Sequence, residues 1–388
     1  MTEPDPLRVA FNAVPRRLWA GGYNYQLNLF AALSHYCPGE IAPVVFAGTG
    51  GDPADLAALA QIPAVEVVQS PAFDRQRLAA ALTFGLDSPA AFEFRDKRID
   101  VVFENARFFG WRLPFPAIAW FPDLQHLRLP QLFSLAARWR RELGFRVQIM
   151  SGRHVMLSSE SALIDIRKFY PGLTNDVSVV RFATQPEAAL LTAKITEILT
   201  KYDLPPRYFY LPNQFWRHKN HQVVIDALTI LKQRARDIVV AVSGPKDLRD
   251  VDCFDSLMKQ VKAGGLEASF RYLGMIPVDH VYALLRASVA VINPSRFEGW
   301  STTVEEAKSF AVPMILSDID VHHEQAGDMA CYFEPDDPAA LADQLWHALQ
   351  GAGPLSVRDL LPDLDRRVAA FATDFASVVR KTAQSRRQ

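Results

Sequence analysis

The sequence predicts an α/β protein made of two doubly wound, Rossmann-like domains that face each other across a cleft. Two observations carry this. Short β-branched runs alternate with helix-period segments along the chain, and the alternation is interrupted once, between Phe182 and Arg207. A chain of 388 residues is also long for one hydrophobic core and comfortable for two.

The elements follow in order. In the first half, "LRVAFN", "APVVFA", "VEVVQ", "DVVFEN", "AIAWF", "HVMLSS" and "VSVVRF" are near-continuous apolar runs of strand length, the pattern of buried parallel strands. Helical segments such as "YNYQLNLFAALSHY" and "QLFSLAARWRRELGFRVQIM" separate them. The stretch "ATQPEAALLTAKITEILTKYDLPPR" then breaks the pattern with a helical piece ending in Pro205-Pro206. Beyond it come "YFYLPN", "IVVAVSG", "SFRYLG", "VAVINP", "PMILSD" and "ACYFEP", with helices such as "HQVVIDALTILKQRAR" between them. The expected domains are 1–190 and 207–365 with a linker at 191–206, and 366–388 forms an amphipathic closing helix with no strand after it. Open α/β sheets bind ligands beyond the carboxyl ends of their strands, so two facing sheets put the site between the domains.

With 49% hydrophobic and 22% charged residues the chain has the makeup of a soluble globular protein, and a net charge of -1 gives no reason to expect nucleic acid as a partner. Cys37, Cys253 and Cys331 are odd in number and widely spaced, which offers neither a disulfide framework nor a C-x-x-C zinc site; a reducing, cytosolic compartment is expected. The start, "MTEPDPLRVAFN", is acidic where a signal peptide would be basic, and no run of 18 or more apolar residues appears.

The most informative phrase is "PSRFEGWSTTVEEAKSFAVP", residues 294–313, which sets Glu298 and Glu306 eight positions apart around Ser301-Thr302-Thr303. It reads as strand, turn and helix. First-turn N–H groups lack intrahelical partners and the positive end of the dipole faces outward, so such a turn receives an anion. Glu306 falls about two helical turns after Glu298 and faces the same crevice only if the helix tilts toward the ligand. An anion seat with two acceptor carboxylates points to a ligand carrying both phosphate and hydroxyls; the plainer alternative is a βα unit with solvated glutamates.

The phrase "FEGW…VEEA…VPMILSD" resembles the E-x7-E signature of the retaining, GT-B fold glycosyltransferases of family 4, the glycosyl transferases group 1. The resemblance covers nearly the whole chain and is most specific over residues 208–335. It implies transfer of a sugar, with retention, from a nucleotide-sugar donor (UDP- or GDP-sugar) to a hydroxyl of a glycan or lipid-linked glycan, in surface-polysaccharide synthesis and with no cofactor or metal required. It further implies that Glu298 holds sugar hydroxyls, that Glu306 holds the ribose, and that the last helix packs back on the N-terminal domain.

Other constellations fit around it. "YLPNQFWRHKN" places Arg217, His218 and Lys219 at a helix start, where cations oppose the macrodipole by roughly 0.3 to 1 kcal/mol each and an anionic ligand would relieve them. The resemblance assigns Lys219 to the diphosphate; Gln214 stands where the family's arginine is commonest, which makes Arg217 the substitute. "WAGGYNYQ" sets Gly21-Gly22 between the first strand and first helix, as a phosphate-binding turn or a plain tight one, and the resemblance puts it beside the donor phosphate. In "WFPDLQHLRLP", Asp123, Gln125 and His126 follow a strand on the acceptor side. Pro122 occupies the family's usual histidine position, leaving His126 as the candidate contact to the reacting sugar or as a structural imidazole. "YLGMIPVDHVYALL" resembles the family's base-binding turn, with Met275 and Ile276 against the nucleobase, and the Gly-Pro turn of "VSGPKD" shapes the same region.

Two further features compete. Asp318-x-Asp320 followed by His322, His323 and Glu324 has the spacing of a GT-A metal site, although adjacent histidines point different ways and the doubled α/β pattern argues against GT-A. Residues 128–146 carry Arg128, Arg138, Arg140, Arg141 and Arg146 against Glu142 alone, with Trp139 and Phe145 interleaved, as a peripheral contact to an anionic membrane or as an ordinary packed helix. The rival functions are a catalytically silent GT-B protein that binds a glycan or partner, and a sugar-nucleotide epimerase.

Overall fold

All thirteen expected strands form. The computed structural model describes residues 5–105, 107–186, 188–247, 250–351 and 361–385. Its first sheet contains β1 (Leu7–Asn12), β2 (Ile41–Ala47), β3 (Glu66–Gln69), β4 (Val101–Asn105), β5 (Ala117–Phe121), β6 (His154–Leu157) and β7 (Val177–Val179), in the order β3-β2-β1-β4-β5-β6-β7. The second contains β8 (Phe209–Leu211), β9 (Val240–Ser243), β10 (Phe270–Gly274), β11 (Val291–Asn293), β12 (Met314–Ser317) and β13 (Ala330–Phe333), in the order β10-β9-β8-β11-β12-β13. Every pairing is parallel. Each sheet therefore reverses its strand order once, between β1 and β4 and between β8 and β11, and a crevice opens at each reversal beyond the carboxyl ends.

Burial explains why the strands were readable. Central β4 and β5 are buried at every position, whereas edge strand β3 is not buried at any. In the second sheet alternate residues enter two separate cores: Phe209, Val240 and Ile292 one, Tyr210, Ala241 and Val291 the other. Both faces are covered, which is what a parallel sheet needs.

By its contacts the chain divides into Met1–Ala183 with Asp365–Gln388, and Thr184–Leu364. The division falls at Ala183 and not at residue 190, and the stretch expected as a linker is folded. Its helix, Ile195–Lys201, buries Ile198 in the core that holds Tyr208 and Leu284. In the first unit the closing helix Leu361–Gln384 sets Phe375 with its ring 5.6 Å from Phe103 and 5.9 Å from Phe11, and Phe371 5.5 Å from Tyr25. Burying each such ring stabilises by roughly 1.5 to 3 kcal/mol. Among the described residues no helix is long and apolar enough to cross a membrane.

Candidate active site

The second sheet's switch point holds a polar network built from strand exits. Asn213 follows β8 and Asn293 ends β11; Asn213 Nδ2 donates to Asn293 Oδ1 at 3.1 Å. Asn293 Nδ2 donates in turn to Ser301 Oγ at 2.8 Å and more weakly to Glu298 Oε1 at 3.4 Å. Ser301 caps the helix Thr302–Ser309, its Oγ accepting from the Val304 N–H, and Gln325 clamps the Ser301 backbone from both sides. Thr303 Oγ1 donates to Asn213 Oδ1 at 3.2 Å. The loop that carries Glu298 is thus fixed at both ends.

Lys219 reaches this loop from another segment. Arg217–Lys219 forms a single 3-10 turn, Asn220 takes a left-handed conformation at φ 56°, and the helix His221–Gln233 begins only then. The Arg296 N–H donates to the His218 carbonyl at 2.8 Å, which ties the turn to the Glu298 loop. As a result Lys219 Nζ donates to Glu298 Oε1 at 2.6 Å, with the side chains 14% and 8% exposed. Ser295 Oγ also donates to Oε1, at 2.7 Å. Among the described residues, every donor to Glu298 goes to Oε1 and none to Oε2.

The two signature glutamates are held in opposite states. Burial alone would raise the Glu298 carboxyl, but the Lys219 charge beside it, with His218 and His322, overrides burial and holds it at about 2. Glu306 has no such neighbour; among the described residues its carboxylate has no hydrogen-bond or ion-pair partner, and burial pushes it up to about 7. It is half-buried and not solvated as in the plainer reading of the phrase. The adjacent Glu305 serves the fold: it is buried and accepts from Lys308 and Gln325.

His322 lies under this network. Its Nδ1 is 2.9 Å from the Ser317 carbonyl, which can only accept, so Nδ1 carries the proton. Burial pushes the ring down to about 4, leaving it neutral with a buried Nε2 that has no partner among the described residues. His323 points elsewhere, to Asp318 Oδ1 at 2.7 Å, with its ring stacked on Tyr332. Among the described residues no group of three or more His, Cys, Asp or Glu side chains is placed to hold a metal ion.

The remaining expected residues are distributed as follows. Arg217 is turned to Asp250, one bond measuring 3.0 Å, and is 58% exposed. Of the three hydroxyls between the glutamates, those of Ser301 and Thr303 are taken up internally, which leaves the Thr302 hydroxyl and the N–H groups of Thr302 and Thr303, that of Val304 being capped by Ser301. Gln214 is half-buried and its carbonyl accepts from the Trp216 N–H. Gly244 has φ 141°, and a Cβ there would lie 2.4 Å from the Asn213 carbonyl oxygen, so only glycine lets this loop close on the β8 exit. Its N–H donates to the Gly274 carbonyl, bringing in the turn that carries exposed Met275 and half-buried Ile276.

In the first unit the structure corrects two expectations. Gly21 and Gly22 are not a turn between strand and helix; both lie in the first turn of the helix Ala20–Tyr36. Gly22 makes room for the Trp19 indole, which a Cβ would meet at 2.4 Å and which stacks on Trp120. His126 is completely buried, 3.3 Å from Glu142 Oε2, and burial lowers its pKa; of the two readings, this is the setting of a structural imidazole. Asp123 accepts from Arg141 at 2.6 Å and from the Gln125 N–H at 2.9 Å. Sequence reasoning missed the asparagines: besides Asn213 and Asn293, Asn12 and Asn105 end β1 and β4 at the first switch point, buried, with amide atoms that have no partner among the described residues. The available signal was a polar residue closing an apolar run at each of these strand ends.

Two parallel six- and seven-stranded sheets of this order, with a charged network at a switch point, define a GT-B protein. Residues 193–357 match the family glycosyl transferases group 1. Over 213 residues the chain is 24% identical to the O-antigen chain mannosyltransferase B of Escherichia coli, an alignment that covers 51% of this chain and 54%, about half, of that relative. The fold is similar to a glycosyltransferase of Rickettsia africae (TM-score 0.68, 14% identity, 98% of each chain). It is also similar to Anabaena Alr3699/HepE solved with UDP and glucose (TM-score 0.63, 16% identity, 98% of each chain).

Proposed function

We propose that the protein is a retaining glycosyltransferase that moves a sugar from a nucleoside-diphosphate donor to a hydroxyl of a glycan or lipid-linked glycan, in surface-polysaccharide synthesis. The observation that carries this is the Lys219–Glu298 contact at the switch point of a group 1 domain. An ammonium has three donors and Glu298 uses one, so two remain for diphosphate oxygens. The leaving diphosphate gains charge as the sugar departs and needs no acid to protonate it. Lys219 and the first-turn N–H groups of Thr302 and Thr303 meet that charge. Glu298, held ionised, donates no proton; its Oε2 accepts from sugar hydroxyls. Glu306 accepts from the ribose, Met275 and Ile276 flank the base, and Asp123 and Gln125 lie on the acceptor side. No covalent role is assigned to either glutamate.

The donor in this reading is a UDP- or GDP-sugar; a structural neighbour solved with UDP and glucose supports a nucleotide-sugar donor. We place the protein in the cytoplasm, peripheral at the inner face of the membrane. The test is thermal stabilisation by UDP, GDP, dTDP and CMP in parallel, followed by product analysis with the sugar nucleotides of the base that binds. Ligand at 100 times its Kd adds about 2.7 kcal/mol. A glycosidic product of retained configuration is expected; an epimerised nucleotide sugar, or binding without turnover, overturns the reading in favour of an epimerase or a silent binding protein.

A further inference from the structure

The helix Leu135–Met150 carries two apolar stripes, and folding uses only one. Phe145 stacks on Phe121 at 4.0 Å and, with Ile149, packs against the core of β5 and β6. On another face Leu135, Trp139, Leu143 and Met150 are 75%, 71%, 49% and 85% exposed. At 3.6 residues per turn these four fall within an arc of about 80° and run about 22 Å along the helix. A surface helix ordinarily presents polar residues there.

The charges around the stripe have one sign. Arg138, Arg140 and Arg146 are exposed. Arg146 falls within the same arc, and its guanidinium lies over Tyr170 at 5.7 Å, beside the end of the helix Glu160–Phe169, where Arg167 and Lys168 are also exposed. The helix's one acidic residue, Glu142, is turned away from solvent to His126, Tyr170 and Arg146. An apolar strip bearing a tryptophan and ringed by cations, on a chain whose net charge is only -1, complements a surface that is both apolar and anionic.

We propose that Leu135, Trp139, Leu143 and Met150 insert into the headgroup boundary of an anionic lipid bilayer while Arg138, Arg140 and Arg146 meet its phosphates. This deepens the peripheral placement proposed above by naming the surface, and it depends on neither donor nor acceptor. The experiment is flotation of the full chain, without substrates, with vesicles of mixed phosphatidylglycerol and phosphatidylcholine and with vesicles of phosphatidylcholine alone. Binding to the anionic vesicles, weakened by salt, is expected. Leu135→Ser with Trp139→Ser should lower it at least about tenfold, since each removes a buried apolar group. Trp139→Phe should retain it, and Arg138→Gln with Arg140→Gln should weaken it and flatten its salt dependence. Transfer to a water-soluble acceptor, measured separately, should be unchanged in the serine variant, so that a failed lipid surface and a failed transferase reading are told apart. Absence of wild-type binding, unaltered binding of the serine variant, or loss in that variant of self-association instead of lipid binding each overturns the proposal.

Discussion

Lys219 and Glu298 are 79 residues apart in the chain and 2.6 Å apart at their charged atoms, both largely shielded from water. Removing one partner of such a pair leaves the other buried and uncompensated, at a cost of about 3 kcal/mol. Lys219→Ala should therefore lower the unfolding midpoint, and, if the same ammonium meets leaving-group charge as proposed, it should lower kcat by about 10² to 10³. Arg217→Ala should cost less than about 1 kcal/mol, since its Asp250 pair is exposed. Its effect on kcat should be the smaller of the two. Wild-type kinetics in Lys219→Ala would move the diphosphate site elsewhere.

The two signature glutamates should give stability opposite pH dependences. The folded carboxyl of Glu298 lies at about 2, below its ordinary 4.5, so it contributes stability that is present above pH 4.5 and lost as pH falls toward 2. That of Glu306 lies at about 7, so the stability linked to its protonated form is present below 4.5 and lost as pH rises through 7. Each shift corresponds to something on the order of 3 kcal/mol. In urea titrations Glu306→Gln should be more stable than wild type at pH 8 and equal to it near pH 4, and Glu298→Gln should be less stable at pH 8. Glu306→Ala should also weaken nucleotide binding without unfolding the chain; an unchanged nucleotide Kd would remove the ribose assignment.

Much of this was legible because the relevant signals are local. The strands of a parallel sheet covered on both faces are continuous apolar runs, so all thirteen could be read. The placement of Glu298, Glu306 and Ser301 around a strand-turn-helix unit follows from one phrase, whereas the capping bond of Ser301 does not. The Lys219 contact could not be read, since it depends on the Arg296–His218 backbone bond joining distant segments. Nor could the burial of Glu306 or His126, because a titratable residue's depth is set by what packs over it. Gly21-Gly22 misled for a related reason: the space they leave is filled by the Trp19 ring, which sequence shows as a neighbour but not as a contact.

Gly244 tests whether the asparagine network depends on its scaffold. Alanine there must adopt φ 141° and place a methyl carbon 2.4 Å from the Asn213 carbonyl, so the loop must shift. Strain of this kind costs about 1 to 3 kcal/mol. Displacing Asn213 also frees Asn293 and Thr303, its partners. Gly244→Ala should therefore lower the melting temperature and reduce stabilisation by nucleotide. A variant that melts early yet binds nucleotide with unchanged Kd would separate the β8 exit from the site.

Metal dependence decides between two ways of neutralising a diphosphate. A site built on Asp318 and Asp320 would need a divalent ion, and chelation would abolish turnover. In the structure the Asp318 carboxylate instead holds His323 at 2.7 Å on a surface where both side chains are nearly half exposed, a pair worth less than about 1 kcal/mol. In the proposed reading the neutralising charge comes from Lys219, fixed by Glu298, and from the first-turn N–H groups of Thr302 and Thr303. Excess EDTA should therefore leave most of the transfer activity, and Asp318→Asn should change kcat and stability only slightly. Complete loss on chelation, restored by Mn²⁺ or Mg²⁺, would show that a metal carries the charge here assigned to Lys219.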